Sequence, residues 1–279
     1  AIMMFVLLFL FQFSMVLRDR QNTYDVNSNL TARTADGKNA WEKQKIDLTA
    51  KIETDRNYVL FVGDASGAMA QSVERWCDYA KWDFAQCNSM DEFTQKLEKL
   101  PGMLILESEK YALGDHLKEL EKLIRKGVII VFGCLENPQN IENNEELQDF
   151  LGIYKVASEK TELTGVKLFE GLLLGGEVVY ETPKEAEEKE RQDLQLEAPW
   201  YQVGSGTKTY MVGLLDQTKM NGSVNNEDLP TIIWRNGIEN GSVFAVVGDY
   251  LKDSTALGIL DGMVAEASEY YLYPVVNAQ

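Results

Sequence analysis

Apolar positions along this chain fall into two kinds of run. The first kind is short and continuous: Tyr58-Val-Leu-Phe-Val62, Met103-Leu-Ile-Leu106 and Val128-Ile-Ile-Val-Phe132 are each followed by a glycine or an acidic residue. Such runs suit strands of a parallel sheet that is buried on both faces. The second kind recurs at helical spacing. Between Asp115 and Lys126, Leu117, Leu120 and Ile124 share one helical face, and Gly127 closes the segment. A further helix is expected from about Ala68 to Lys81, after the turn Gly63-Asp64-Ala65-Ser66-Gly67. Phe84 to Cys87 reads as a second strand, and Ser89 with Glu92 three residues on is a capping box that opens a helix ending before Pro101. Strands and helices alternating at these lengths imply right-handed crossovers. They predict an α/β fold with a mostly parallel, doubly wound sheet of the flavodoxin kind.

The pattern loosens after Gly133. A helix is expected from about Glu142 to Leu151, and the short apolar runs between Ile153 and Glu181 suggest added strands. Lys184 to Gln192 is nearly all Lys, Glu, Arg and Ala, which fits a solvated helix or insert. β structure resumes at Thr209–Leu215, Thr231–Arg235 and Ser242–Val247. Asn236-Gly237 and Asn240-Gly241 supply the hairpin or loop signals between the last two. A helix from about Ala256 to Ala267 completes the pattern.

Residues Ala1 to Leu17 carry no charge and are dominated by Met, Phe, Leu, Ile and Val. That is the short end of the roughly 17–25 residues needed to span a bilayer. The run leads into Arg18-Asp19-Arg20 without a small-residue cleavage site, so an uncleaved transmembrane anchor is expected. Arg18 and Arg20 alone would favour a cytoplasmic carboxyl side. Residues 18–56 read as a polar juxtamembrane linker and residues 57–279 as the folded domain. The ending Tyr273-Pro-Val-Val-Asn-Ala-Gln279 suggests that another domain follows.

Composition removes several functions. The 279 residues include 44 Asp and Glu against 27 Lys and Arg, a formal net charge of −17, with 1 histidine and 3 cysteines. One histidine excludes a multi-histidine metal site, and the cysteines form no C-x-x-C pair, which excludes a zinc ribbon. The charge argues against a nucleic-acid partner, because phosphates need clustered Lys and Arg. No cofactor is implied.

The order of strands and helices through Val128–Phe132, with the late pair Pro230-Thr-Ile-Ile-Trp-Arg-Asn-Gly and Gly241-Ser-Val-Phe-Ala-Val-Val-Gly, resembles the class I glutamine amidotransferase-like fold. With the anchor and the ending Tyr273-Pro-Val-Val-Asn-Ala, the chain is similar to bacterial membrane-anchored proteins in which such a domain precedes a polysaccharide-deacetylase-like domain. The resemblance implies a single-pass protein of the bacterial cell membrane. Its domain would lie outside the cytoplasm, with the membrane and a polysaccharide or envelope protein as partners. It also implies a catalytic test, because active members of the fold carry a cysteine in a G-x-C-x-G turn after the fourth strand and a His–Glu pair later. Cys134 stands near that turn, but it follows Gly133 directly, and Glu136 occupies the place of the second glycine. The one histidine, His116, precedes the cysteine. A thiol without a base is poorly activated unless a cation or helix terminus lowers its pKa.

Asp64-Ala-Ser66-Gly-Ala68 looks like the D-x-S-x-S metal-adhesion motif of von Willebrand factor A domains, with Ala68 in place of the second hydroxyl. The plainer account has Asp64 and Ser66 capping the first helix. Ligands of open α/β sheets sit at the carboxyl ends of strands. That rule gathers Asp64, Ser66, Glu107, Cys134 and Glu136 into a candidate binding rim, with no catalytic or metal residue assigned. Three functions follow as expectations: a non-catalytic accessory or ligand-binding domain of an envelope polysaccharide system, a divergent hydrolase using Cys134 or Asp64 and Glu107, and a metal-dependent adhesion domain.

Overall fold

The computed structural model describes residues 54–96, 100–172, 177–181, 197–216, 229–238 and 241–267. The expected anchor, the linker up to residue 53, the charged insert at 184–192 and the chain after 267 lie outside the described residues. Among the described residues no helix is long and apolar enough to cross a membrane.

The parallel half of the sheet is built from the runs that the sequence marks as continuously apolar. Its strands are β1 (Thr54–Val62), β2 (Asp83–Cys87), β3 (Leu100–Leu106), β4 (Ile129–Phe132) and β11 (Gly241–Val246). They lie side by side in the order β2-β1-β3-β4-β11, all paired in parallel. This is the flavodoxin-like order, with β11 in the fifth place. All seven residues of β3 are buried, as expected where both faces of a strand are covered.

The sheet then changes character. β10 (Thr231–Ile238), β9 (Thr207–Leu214), β6 (Gly165–Leu168) and β7 (Val178–Glu181) continue it beyond β11 as an antiparallel extension. A separate ribbon pairs β5 (Ile153–Glu162) with β8 (Glu197–Val203).

The helices are α1 (Ala68–Ala80), α2 (Met90–Lys96), α3 (His116–Arg125), α4 (Pro138–Glu142), α5 (Glu145–Leu151) and α6 (Thr255–Ala267). α1 packs on α6, and a hydrogen bond of 2.7 Å from Trp76 Nε1 to Asp261 Oδ1 pins the pair. Adjacent residues of β10 show the two faces of the extension. Arg235 Nη1 donates to the Glu266 carbonyl of α6, while Trp234 packs against Tyr201 of β8 and donates from Nε1 to the Leu151 carbonyl at the end of α5. One face therefore carries α6, and the other carries α5 and the β5–β8 ribbon.

Several expectations from the sequence are corrected. The helix expected over Glu142–Leu151 starts only at Glu145, where the Asn144 side chain caps it by accepting from the Leu147 N–H, and the short helix α4 that precedes it was not expected. Asn236-Gly237 is not a turn; it lies inside β10, opposite Val243 and Ser242. β3 begins at Leu100 and so includes Pro101, and β1 begins at Thr54. β8 was not anticipated, although Trp200-Tyr-Gln-Val203 is β-prone and stands before Gly204-Ser-Gly206. The capping box is present in modified form. Ser89 Oγ accepts from the Glu92 N–H, while the Glu92 carboxylate reaches the N–H of Asn88, one residue earlier than the motif requires.

Candidate functional site

The carboxyl ends of β1, β3, β4 and β11 emerge on one edge of the sheet, and the candidate rim is built there. Its residues form two groups. In the first, the Asp64 N–H donates to Glu107 Oε2 at 3.0 Å, so the ends of β1 and β3 are tied together. Tyr111 OH donates to the same oxygen at 3.4 Å, and Lys110 Nζ stands 4.0 Å from it. Gly63 makes this approach possible, since a Cβ there would fall 2.5 Å from the Glu107 Cβ.

Asp64 does not cap α1. The helix begins after Gly67 with no side-chain cap. Asp64 Oδ1 instead accepts from the N–H and hydroxyl of Ser66, at 2.9 and 2.7 Å. These Ser66 bonds, hydroxyl first, lower the Asp64 pKa. Among the described residues no group of three or more His, Cys, Asp and Glu is arranged to hold a metal ion.

The second group surrounds the chain after β4. A nucleophile elbow requires a sharp turn from strand into helix. Here the Leu135 N–H still donates to the Val246 carbonyl of β11 at 2.9 Å, so the segment keeps running beside that strand. α4 starts only at Pro138. Glu109, which is buried, holds this loop from below. Its carboxylate accepts from the N–H groups of Glu136 and Asn137, at 2.8 and 3.1 Å, and from Asn140 Nδ2 at 3.0 Å. Glu136 is thus fixed through its backbone.

Cys134 is 5% exposed. Burial, and next the Asp249 carboxylate, push its thiol up to about 12, although Lys252 and the Gly248 backbone N–H act in the opposite direction. Sγ lies 4.0 Å from Asp249 Oδ1, and Asp249 also pairs with Lys252 Nζ at 2.7 Å. Burial alone would lower the Lys252 pKa, but the hydrogen bond and charge of Asp249 outweigh it and the pKa is raised. His116 opens α3 and pairs with Glu119 at 3.3 Å.

The structure thus joins Asp64 with Ser66 and Glu107, and it places Cys134 and Glu136 on one loop. It adds Glu109, Tyr111, Asp249 and Lys252, which the sequence did not single out. Asp249 was within reach of the strand-end rule: it follows the run Ser242–Val247 as Glu107 follows β3, once that run is recognised as a fifth parallel strand. Glu109 and Lys252 carry no such signal, because their roles depend on loops that only the fold brings near.

No family model matches the chain, and no curated protein matches it. Among solved structures it is similar to a ThuA-like protein from Bacteroides uniformis, at 13% identity over 76% of this chain and 91% of that one, with a TM-score of 0.46. It is similar also to a GMP synthase subunit from Thermoplasma acidophilum, at 13% identity over 80% and 98% of the two chains, TM-score 0.42. A third similarity is to the carbohydrate deacetylase Agd3, at 11% identity and TM-score 0.42, where this chain covers 28% of the longer protein. Likeness at these values says nothing of activity.

Proposed function

We propose that this chain is a non-catalytic accessory or ligand-binding domain of a membrane-anchored protein in bacterial exopolysaccharide or cell-envelope metabolism. In this proposal its glutamine amidotransferase-like frame holds a ligand and does not hydrolyse one. The uncharged, apolar run of residues 1–17 supports the membrane placement, and the state of Cys134 is the observation that carries the non-catalytic part. Thiol catalysis needs a thiolate near neutral pH. Cys134 is buried, has a carboxylate as its charged neighbour at 4.0 Å, and has its pKa pushed up to about 12.

A second reading, a hydrolase that uses carboxylates, draws on one feature. Glu107 is a strand-end carboxylate held by a backbone N–H and a tyrosine hydroxyl, the kind of positioning that acid–base chemistry requires.

The thiol reading is tested by labelling the native full chain with a thiol reagent from pH 6 to 10 and assigning Cys134 by peptide mass spectrometry. The expected result is slow labelling that rises about tenfold per pH unit without a plateau below about 10. A fast phase saturating near neutral pH would mean an activated thiolate and would overturn the proposal.

A further inference from the structure

The rim is lined by charges; a second concavity is not. On the Trp234 face of the antiparallel extension, beside the β5–β8 ribbon, lies a cavity of about 440 Å³. Its walls include Tyr154 of β5, Phe169 just after β6, Ser205 in the turn from β8 to β9, Thr207 and Thr209 of β9, and Thr231 at the start of β10. The placement of the β9 threonines follows from strand alternation. Lys208 and Tyr210 both reach Glu266 of α6, so Thr207 and Thr209 face the other way. Thr207 Oγ1 donates to the Gly204 carbonyl at 2.7 Å, which fixes the turn and leaves its lone pairs directed to other donors. Lys167 Nζ sits over one face of the Phe169 ring, 4.9 Å from its centroid. Tyr154 is 61% exposed and forms an open side wall.

Five hydroxyls, counting that of Tyr154, two aromatic rings and no charged group among the described lining residues restrict the ligand. An anion would find no charged side chain in the lining, since Lys167, the cation over the Phe169 ring, is already paired with Glu177 at 3.1 Å, and it would approach a chain of net charge −17. A purely apolar ligand would leave the hydroxyls without partners at a desolvation cost. A pyranose matches both features. Its C–H faces are apolar and suit the electron-rich faces of Tyr and Phe, while its hydroxyls donate to and accept from Ser and Thr. The volume falls within the roughly 300–1,000 Å³ of small-ligand sites.

We infer that this cavity binds a neutral saccharide, with Tyr154 and Phe169 against the sugar faces and Ser205, Thr207, Thr209 and Thr231 bonding its hydroxyls. The inference deepens the ligand-binding proposal above and rests on it only for there being a ligand at all. It places that ligand on the antiparallel extension and not on the rim.

The test is calorimetric titration of the full 279-residue chain, in a zwitterionic detergent without a sugar head group, with cellotetraose, maltotetraose, chitotetraose and tetragalacturonic acid. At least one neutral tetrasaccharide is expected to saturate the protein at a Kd of about 1 mM or lower, and the acid is not. Tyr154→Ala should weaken that binding about tenfold or more and Thr209→Val several-fold, with the melting temperatures held near that of the parent chain. Failure of every neutral tetrasaccharide to saturate overturns the inference, as does binding indifferent to both substitutions. Indifferent binding that Glu107→Gln abolishes moves the ligand to the rim, so the inference fails while the accessory-domain proposal stands. Fast labelling of Cys134 at neutral pH together with Tyr154-dependent binding gives the reverse outcome.

Discussion

Every residue of β3, in the parallel half of the sheet, is buried, whereas β6 and β9 in the antiparallel extension mix buried residues with partly exposed ones. The difference follows from how each half is connected. Parallel neighbours need crossover helices that cover both faces, so the inner strands, unlike the edge strand β2, become an apolar frame whose chemistry is confined to the strand ends. Antiparallel neighbours need no crossover, and the extension is covered unevenly: α6 on one face, a short helix and a two-stranded ribbon on the other. The parallel half thus presents carboxylates and a buried thiol along a rim, and the extension carries an open-sided cavity lined by hydroxyls and aromatic rings beside the β5–β8 ribbon. One sheet supports two kinds of surface because its connectivity changes at β11.

The largest expected effect sharpens this contrast. Trp234 is fully buried on the extension and bonded to the Leu151 carbonyl, so Trp234→Ala should lower stability by about 3–5 kcal/mol in urea unfolding. If the halves are separate cooperative units, hydrogen exchange in the variant will accelerate in β9 and β10 and remain slow in β1, β3 and β4. Equal acceleration throughout would make the sheet one unit and break the comparison.

α6 joins the halves, with Asp261 on α1 and Gly262 against the chain after β6. A Cβ on Gly262 would come within 2.2 Å of the Leu172 carbonyl oxygen, a backbone atom with little room to yield. Gly262→Ala should therefore cost about 1–3 kcal/mol through overpacking, read as a lower melting temperature.

The buried thiol predicts an alkaline effect. In the folded state Cys134 keeps its proton to about 12, against an ordinary value of 9.0. Between those values the folded chain binds more protons than the unfolded one, so stability falls as pH rises from about 9 and levels off above about 12. In Cys134→Ala the loss of stability between pH 8 and pH 10 should be smaller by about 1 kcal/mol, measured by urea titration at each pH. An unchanged loss would mean that the thiol ionises as freely folded as unfolded. The smallest effect is the control for α6: Gly237, inside β10, has nothing within 4 Å of an added Cβ, and Gly237→Ala should shift stability by no more than about 0.5 kcal/mol.

The parallel half was legible because its signals are local. Val59–Val62 and Met103–Leu106 read as buried strands from their own composition, and Leu117, Leu120 and Ile124 as a buried helical face from their spacing. The extension was less so. β5 exposes or half-exposes most of its length, so it carries little apolar signal, and β8 acquires its place only by pairing with it. For the rim, the strand-end rule gathered Asp64, Ser66, Glu107, Cys134 and Glu136, which do follow strand ends; the separate capping account of Asp64 and Ser66 is not met, since capping depends on where the turn places a side chain relative to the first helical N–H groups.

Local pattern was thus enough for the order of elements from β1 to β4, the parallel core and the positions where strand ends would expose polar side chains, because periodicity and turn chemistry act over a few residues. The tertiary structure alone decided that Glu109 holds the loop after β4, that Asp249 stands beside a sulfur 115 positions earlier in the chain, and that hydroxyls and rings from β5, the end of β6, the β8–β9 turn, β9 and β10 face one cavity. Desolvation, hydrogen-bond partnership and cavity shape depend on which distant segments meet, and those meetings are fixed by packing the whole sheet.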